Sequence, residues 1–201
     1  MSEKQSLSKI AATSVLCISG LVLTGCATTP PPAAEIAIDQ TSRGVHLRLI
    51  NKVLLFEFDK SILNIAAASP YLDKIAALII TKSTKQVAVE GYSDNIGTLG
   101  ANQLISEARA KAVRDALRER GVPAERLKTE GFSYHRPVTS NTTEEGRALN
   151  RRVEIVILDE TIENITAGEA ANAFESAFAK LKTMVDRGTI KPLSATESVQ
   201  Q

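Results

Sequence analysis

The segment from 86 to 132 constrains the fold most, because it sets a long helical pattern between two short strands. QVAVEG (86–91) alternates, with Val87 and Val89 on one face, and LKTEGF (127–132) is a weaker run of the same kind. Between them, Asn102 to Arg120 reads as a helix that stops at Gly121-Val122-Pro123, since glycine and proline end helices. Upstream, VLLFEFD (53–59) alternates Leu54, Phe56 and Phe58 against Leu55 and Glu57. Ser69-Pro70 then offers an N-cap and first helical residue to a pattern carrying Leu72, Ile75 and Ile79. Downstream, RRVEIVIL (151–158) is a strong strand with Val153, Ile155 and Ile157 alternating. The order β-α-β-α-β-β predicts an α+β two-layer sandwich over residues 45–160, two helices covering one face of a four-stranded sheet.

What flanks this domain is of a different kind. Lys4 and Lys9 precede an apolar run from Ile10 to Leu23, too short to span a bilayer comfortably but suited to a signal peptide over residues 1–25. The run ends in Leu23-Thr24-Gly25-Cys26, which resembles the lipobox of bacterial lipoproteins, in which the cysteine is acylated and becomes the first residue after cleavage. An ordinary signal peptide would leave Cys26 a bystander, but small residues directly before it favour acylation, and two or more chains anchor a protein stably. Ala27 rather than aspartate follows, which by the same resemblance implies sorting to the outer membrane. Residues 26–44 then read as a lipidated cysteine and proline-rich tether, whose stretch from Ala27 to Gly44 could reach roughly 50 Å in polyproline II form. At the other end, residues 161–201 form an extension. Thr166 to Glu169 is a capping-box pattern, opening a helix over about 167–187 with Phe174, Phe178, Leu181 and Val185 in one stripe and Gly188 as its stop. The stripe either packs on the domain's own surface or makes a contact with a protein partner in the periplasm or a second copy of the chain; the end of the chain reads as disordered.

Composition removes several functions. Lysine and arginine number 24 against 23 acids, so the net charge of +1 lacks the long-range pull that marks nucleic-acid binders. Cys17 falls in the signal segment, leaving Cys26 without an internal partner for a disulfide. The two histidines, His46 and His135, have no motif for a catalytic triad or a metal site, no spacing selects a carboxylate pair, and no phosphate-binding glycine loop occurs. No enzyme, cofactor or metal is expected.

One pair of charges stands out. Asn102, Ser106, Arg109 and Val113 fall at helical spacing, so Asn102 and Arg109 project from one side, with Arg109 expected at the boundary between core and solvent. Asp94 lies directly after a strand, among turn formers that carry the chain back to this helix. Opposite charges facing one cleft suit a zwitterion, with Asp94 taking an ammonium and Arg109 a carboxylate, or else they form a simple surface ion pair.

The segments GYSDNIG (91–97), with its following asparagine and RA pattern, and GFSYHRPVTSNTTEEGRALNRRVEI (131–155) resemble the OmpA-like (OmpA/Pal/MotB) peptidoglycan-binding domain. The resemblance covers about residues 45–158. It implies that Asp94 and Arg109 hold the free amine and carboxylate of diaminopimelate in the peptidoglycan stem peptide, with Asn102 and Arg151 in the same pocket and Asp59 at its rim. Arg147, Asn150 and Arg152 are expected to tie the last loop to the sheet instead. The chain departs from the family at Tyr92-Ser93, where His-Thr is usual, and at Ala101, where an aromatic often stands.

Overall fold

The computed structural model describes residues 36–49, 61–62, 64–169, 174 and 176–194. The signal segment, Cys26, and the strand read at 53–59 with Asp59 lie outside the described residues. Along the chain run β1 (Ile36–Thr41), β2 (Gly44–Leu49), α1 (Ile65–Lys82), β3 (Val87–Gly91), α2 (Leu99–Glu119), β4 (Leu127–Gly131), α3 (Glu144–Asn150), β5 (Val153–Leu158), α4 (Ile162–Thr166) and α5 (Ala177–Asp186).

Alternation decides which face of the sheet is covered. Val45 and Leu47 of β2, Val87 and Val89 of β3, and Val153, Ile155 and Ile157 of β5 join Leu72, Ile75 and Ile79 of α1 and Val113 and Leu117 of α2 in one buried cluster. The strands lie in the order β1-β2-β5-β3-β4. β5 is antiparallel to both β2 and β3, while β4 is parallel to β3, the pairing that α2 requires as a crossover. This is the expected α+β sandwich, but two of its five strands, β1 and β2, are not among the four expected, and the expected strand at 53–59 lies outside the described residues.

β1 corrects the tether. Residues 36–41, read as part of a polyproline spacer, form β1 and pair antiparallel with β2 through Ile36↔Leu49 to Thr41↔Gly44. Ile36 and Ile38 are buried, and Gly44 turns the hairpin at φ 135, a conformation open to glycine. Three helix boundaries also move. α1 starts at Ile65 with Asn64 as its cap, so Pro70 sits inside the helix; the run Ala66 to Ala68 carries helix propensity through it and Ala68 is buried. α2 starts at Leu99, capped by the Thr98 hydroxyl on Ala101 N–H (3.2 Å). Thr166 ends α4 rather than opening the last helix, because Gly168 turns the chain at φ 81, and α5 begins after a Ser176 cap.

The opposite face of the sheet is charged and nevertheless buried. Glu90 and Glu154 are cross-strand partners, 1% and 2% exposed, an arrangement that would repel without counterions. Arg43 pairs with Glu90, while Arg48 (3.0 Å), Arg152 (2.7 Å) and His46 (3.2 Å) meet Glu154. Burial alone would raise the Glu154 pKa, yet Arg152, the His46 hydrogen bond and Arg48 together hold it well below the usual carboxylate range.

Candidate functional site

The register of β3 and β5 assembles the site. Gly91 pairs with Val153, so the turn leaving β3 and the residues entering β5 emerge side by side at one edge of the sheet. Asp94 follows the one and Arg151 precedes the other, and they meet: Arg151 Nη1 donates to Asp94 Oδ2 at 2.7 Å, both side chains being 5% exposed. The N-terminal half of α2 closes the third side. Gly91 makes this approach feasible, since a Cβ there would stand 1.9 Å from the Ser106 carbonyl oxygen.

Ser93, Asp94, Ile96, Asn102, Ile105, Arg109 and Arg151 line one cavity of about 30 Å³. Four of the residues expected at the site are thus brought together; the fifth, Asp59, lies outside the described residues. Each has a distinct setting. Asp94 Oδ1 accepts from Ile96 N–H at 3.0 Å, shaping the turn. Asn102 Nδ2 donates to the Ile96 carbonyl at 3.0 Å, so this asparagine pins the same turn onto α2. Arg109, expected at the boundary with solvent, is 1% exposed, because the turn and Arg151 fold over it; its Nη1 donates to the Tyr92 carbonyl at 3.3 Å.

Sequence reasoning missed Glu144, whose Oε1 accepts from Arg151 Nη2 at 2.7 Å from the first turn of α3. Arg151 carries two ion pairs: burial works against its charge, but the bonds to Asp94 and Glu144 outweigh that and raise its pKa. The same bond from Arg151 is the main cause that lowers the Glu144 pKa. The signal for Glu144 was Thr143, a cap residue before an acidic turn. Asn150 fixes the loop behind, accepting from Val138 N–H (2.9 Å) and donating to the Thr139 carbonyl (2.8 Å), and Arg147 donates to the Asn141 carbonyl (3.0 Å). The Tyr92 side chain leaves the pocket altogether. Its ring stacks on Phe132 with centroids 5.4 Å apart, lies under Arg152 at 3.8 Å, and its hydroxyl donates to Glu90 at 2.8 Å.

One carboxylate and two guanidiniums line the cavity and give it a net positive charge. Such a set can hold a carboxylate across the arginines and an ammonium against the aspartate. Neither His46 nor His135 lines it, and among the described residues no group of three histidines, cysteines or acids could hold a metal ion.

Residues 55–151 match the OmpA family model. The outer-membrane lipoprotein YfiB of Pseudomonas aeruginosa is 37% identical over 148 residues, 68% of this chain and 86% of that protein. The chain belongs to the OmpA family. The peptidoglycan-binding protein ArfA of Mycobacterium bovis is 37% identical over 164 residues, 78% of this chain but 48% of that protein, so the chain spans about half the length of this relative. Among solved structures, the cell wall anchor of the T6SS from Pseudomonas aeruginosa is similar at 34% identity and TM-score 0.54, over 62% of this chain and 87% of that one. The periplasmic domain of Helicobacter pylori MotB shares the fold at 21% identity and TM-score 0.54, over 76% of this chain and 98% of that one. These relatives are named as a lipoprotein, a binding protein and an anchor.

Proposed function

We propose that this protein is an outer-membrane lipoprotein that holds peptidoglycan noncovalently through diaminopimelate, tethering the membrane to the wall. The observation that carries the reading is the lining of one small cavity by Asp94, Arg109 and Arg151. Asp94 receives the ammonium of the amino-acid centre, Arg109 and Arg151 receive its carboxylate, and Asn102 holds the turn. Acyl chains on Cys26 fix the domain to the outer membrane, facing the periplasm, and the residues before β1 are the spacer. A relative named as an outer-membrane lipoprotein and another named for peptidoglycan binding support the two halves of this reading. Charge-assisted hydrogen bonds of about 1.5–3 kcal/mol each, less the cost of ordering, give roughly micromolar to millimolar affinity. That suffices beside a polymer offering many copies, because anchoring raises the effective concentration.

The test is co-sedimentation of the purified protein with diaminopimelate-type peptidoglycan. Asp94→Asn and Arg109→Met should each reduce retention at least about tenfold, one charged contact being worth about that much. Full retention by both variants would reject the site.

The alternative is a periplasmic signalling or assembly adaptor whose C-terminal helix engages a protein partner. Against it, Phe174 of the supposed contact stripe packs on the domain's own core beneath the Lys74 ammonium. Crosslinking in cells with and without residues 161–201 separates the two, since an adaptor would lose neighbours on truncation.

A further inference from the structure

The C-terminal extension is bound to the domain at both ends of α5. At its start, Ser176 caps the helix and its hydroxyl donates to Asp39 of β1 at 2.9 Å. At its end, Gly188 turns the chain at φ 69 with its N–H on the Val185 carbonyl (2.9 Å), and Thr189 N–H bonds the Met184 carbonyl (2.9 Å). This ending aims Ile190 inward, where it is 3% exposed. The next carbonyl, that of Lys191, accepts two hydrogen bonds, from Thr139 Oγ1 at 2.7 Å and from Ser140 N–H at 3.2 Å.

Thr139 and Ser140 belong to the loop that the residue next to Arg151 holds from its other side. Asn150, fully buried, accepts from the N–H groups of Val138 and Thr139 (2.9 and 3.3 Å) and donates to the Thr139 carbonyl and Asn141 Oδ1 (2.8 and 2.9 Å). The loop is therefore clasped between Asn150 and the Lys191 carbonyl, and it packs hard on α3: a Cβ at Gly146 would stand 2.0 Å from the Ser140 carbonyl oxygen. Arg151 is the C-cap of that helix, its N–H on the Arg147 carbonyl at 3.0 Å.

We propose that residues 188–191 are a latch that positions Arg151, so that the C-terminal extension sets the affinity of the pocket for its carboxylate ligand. The proposal rests on the reading of the pocket given above. A binding group kept in place before the ligand arrives costs less to order on binding, and two hydrogen bonds with a buried isoleucine supply that order here. Through the latch, anything that lifts α5 from the sheet edge loosens wall binding.

Full-length Thr139→Val removes the hydroxyl and keeps the shape, Thr139→Ser restores it, and Ile190→Ala loosens the anchor. Two measurements are made on each: amide exchange over 138–141 and 150–152, and affinity for a soluble diaminopimelate-containing muropeptide. Thr139→Val and Ile190→Ala should speed exchange in both segments and weaken binding about three- to tenfold, with Thr139→Ser close to the parent. Unchanged exchange overturns the latch, and faster exchange with unchanged affinity overturns its link to Arg151. A parent protein that binds no muropeptide would instead refute the reading of the pocket, while the exchange data would still judge the latch.

Discussion

Tyr92 is one of the positions at which this chain leaves its family's wording, and its two ends do separate jobs. The carbonyl serves Arg109, while the ring and hydroxyl face the far side of the sheet among Phe132, Arg152 and Glu90. Tyr92→Phe should therefore lower stability by roughly 1–3 kcal/mol, the cost of leaving a buried Glu90 oxygen without its donor, and leave ligand affinity unchanged. Denaturant midpoints and binding isotherms on the same variant check both halves. The sequence conveyed the acid and the base at 94 and 109 through turn chemistry and helical spacing. It did not convey that Asp94 meets Arg151, because that contact depends on the β3–β5 register, which links residues far apart in the chain.

Elements fared according to how much of their structure is local. β3, α2, β4 and β5 have periods and stop signals that survive in isolation, and they lie where the alternation and the Gly121 ending predict. β1 was hidden behind the prolines, although Ile36 and Ile38 alternate and Gly44 marks a turn. The short α3 is held mainly by its Thr143 cap and by Asn150, which are tertiary or single-residue signals. At this scale the close contact of β3 with α2 is the sensitive joint. Gly91→Ala would push a methyl into the Ser106 carbonyl, a backbone group that cannot turn aside. The expected loss is about 1–3 kcal/mol or more, measured by urea unfolding, with weaker ligand binding because Arg109 moves with the helix.

For the whole molecule, the charged face of the sheet makes stability depend on acid. Glu154 has a lowered pKa in the folded state, so its contribution is present above the ordinary value of 4.5 and is lost as pH falls through that value toward the folded one. The melting temperature should fall as the solution is taken from about pH 5 to about pH 3, and Glu154→Gln should flatten that fall. At neutral pH the same variant should be less stable by on the order of 3 kcal/mol, because Arg48 and Arg152 lose a buried counterion. Alternation set Val153, Ile155 and Ile157 of β5 on one face; the outward Glu154 is buried as well because cations from neighbouring strands match it. The pocket itself occupies one corner of this sandwich, and the claim that it takes an amino-acid centre is best tested by titrating the ¹⁵N-labelled protein with free diaminopimelate. Saturable shifts should concentrate on Ser93 to Thr98, Asn102 and the side chains of Arg109 and Arg151, and should vanish in Arg109→Met. Saturation with shifts confined to another surface, or undiminished in that variant, would contradict the account.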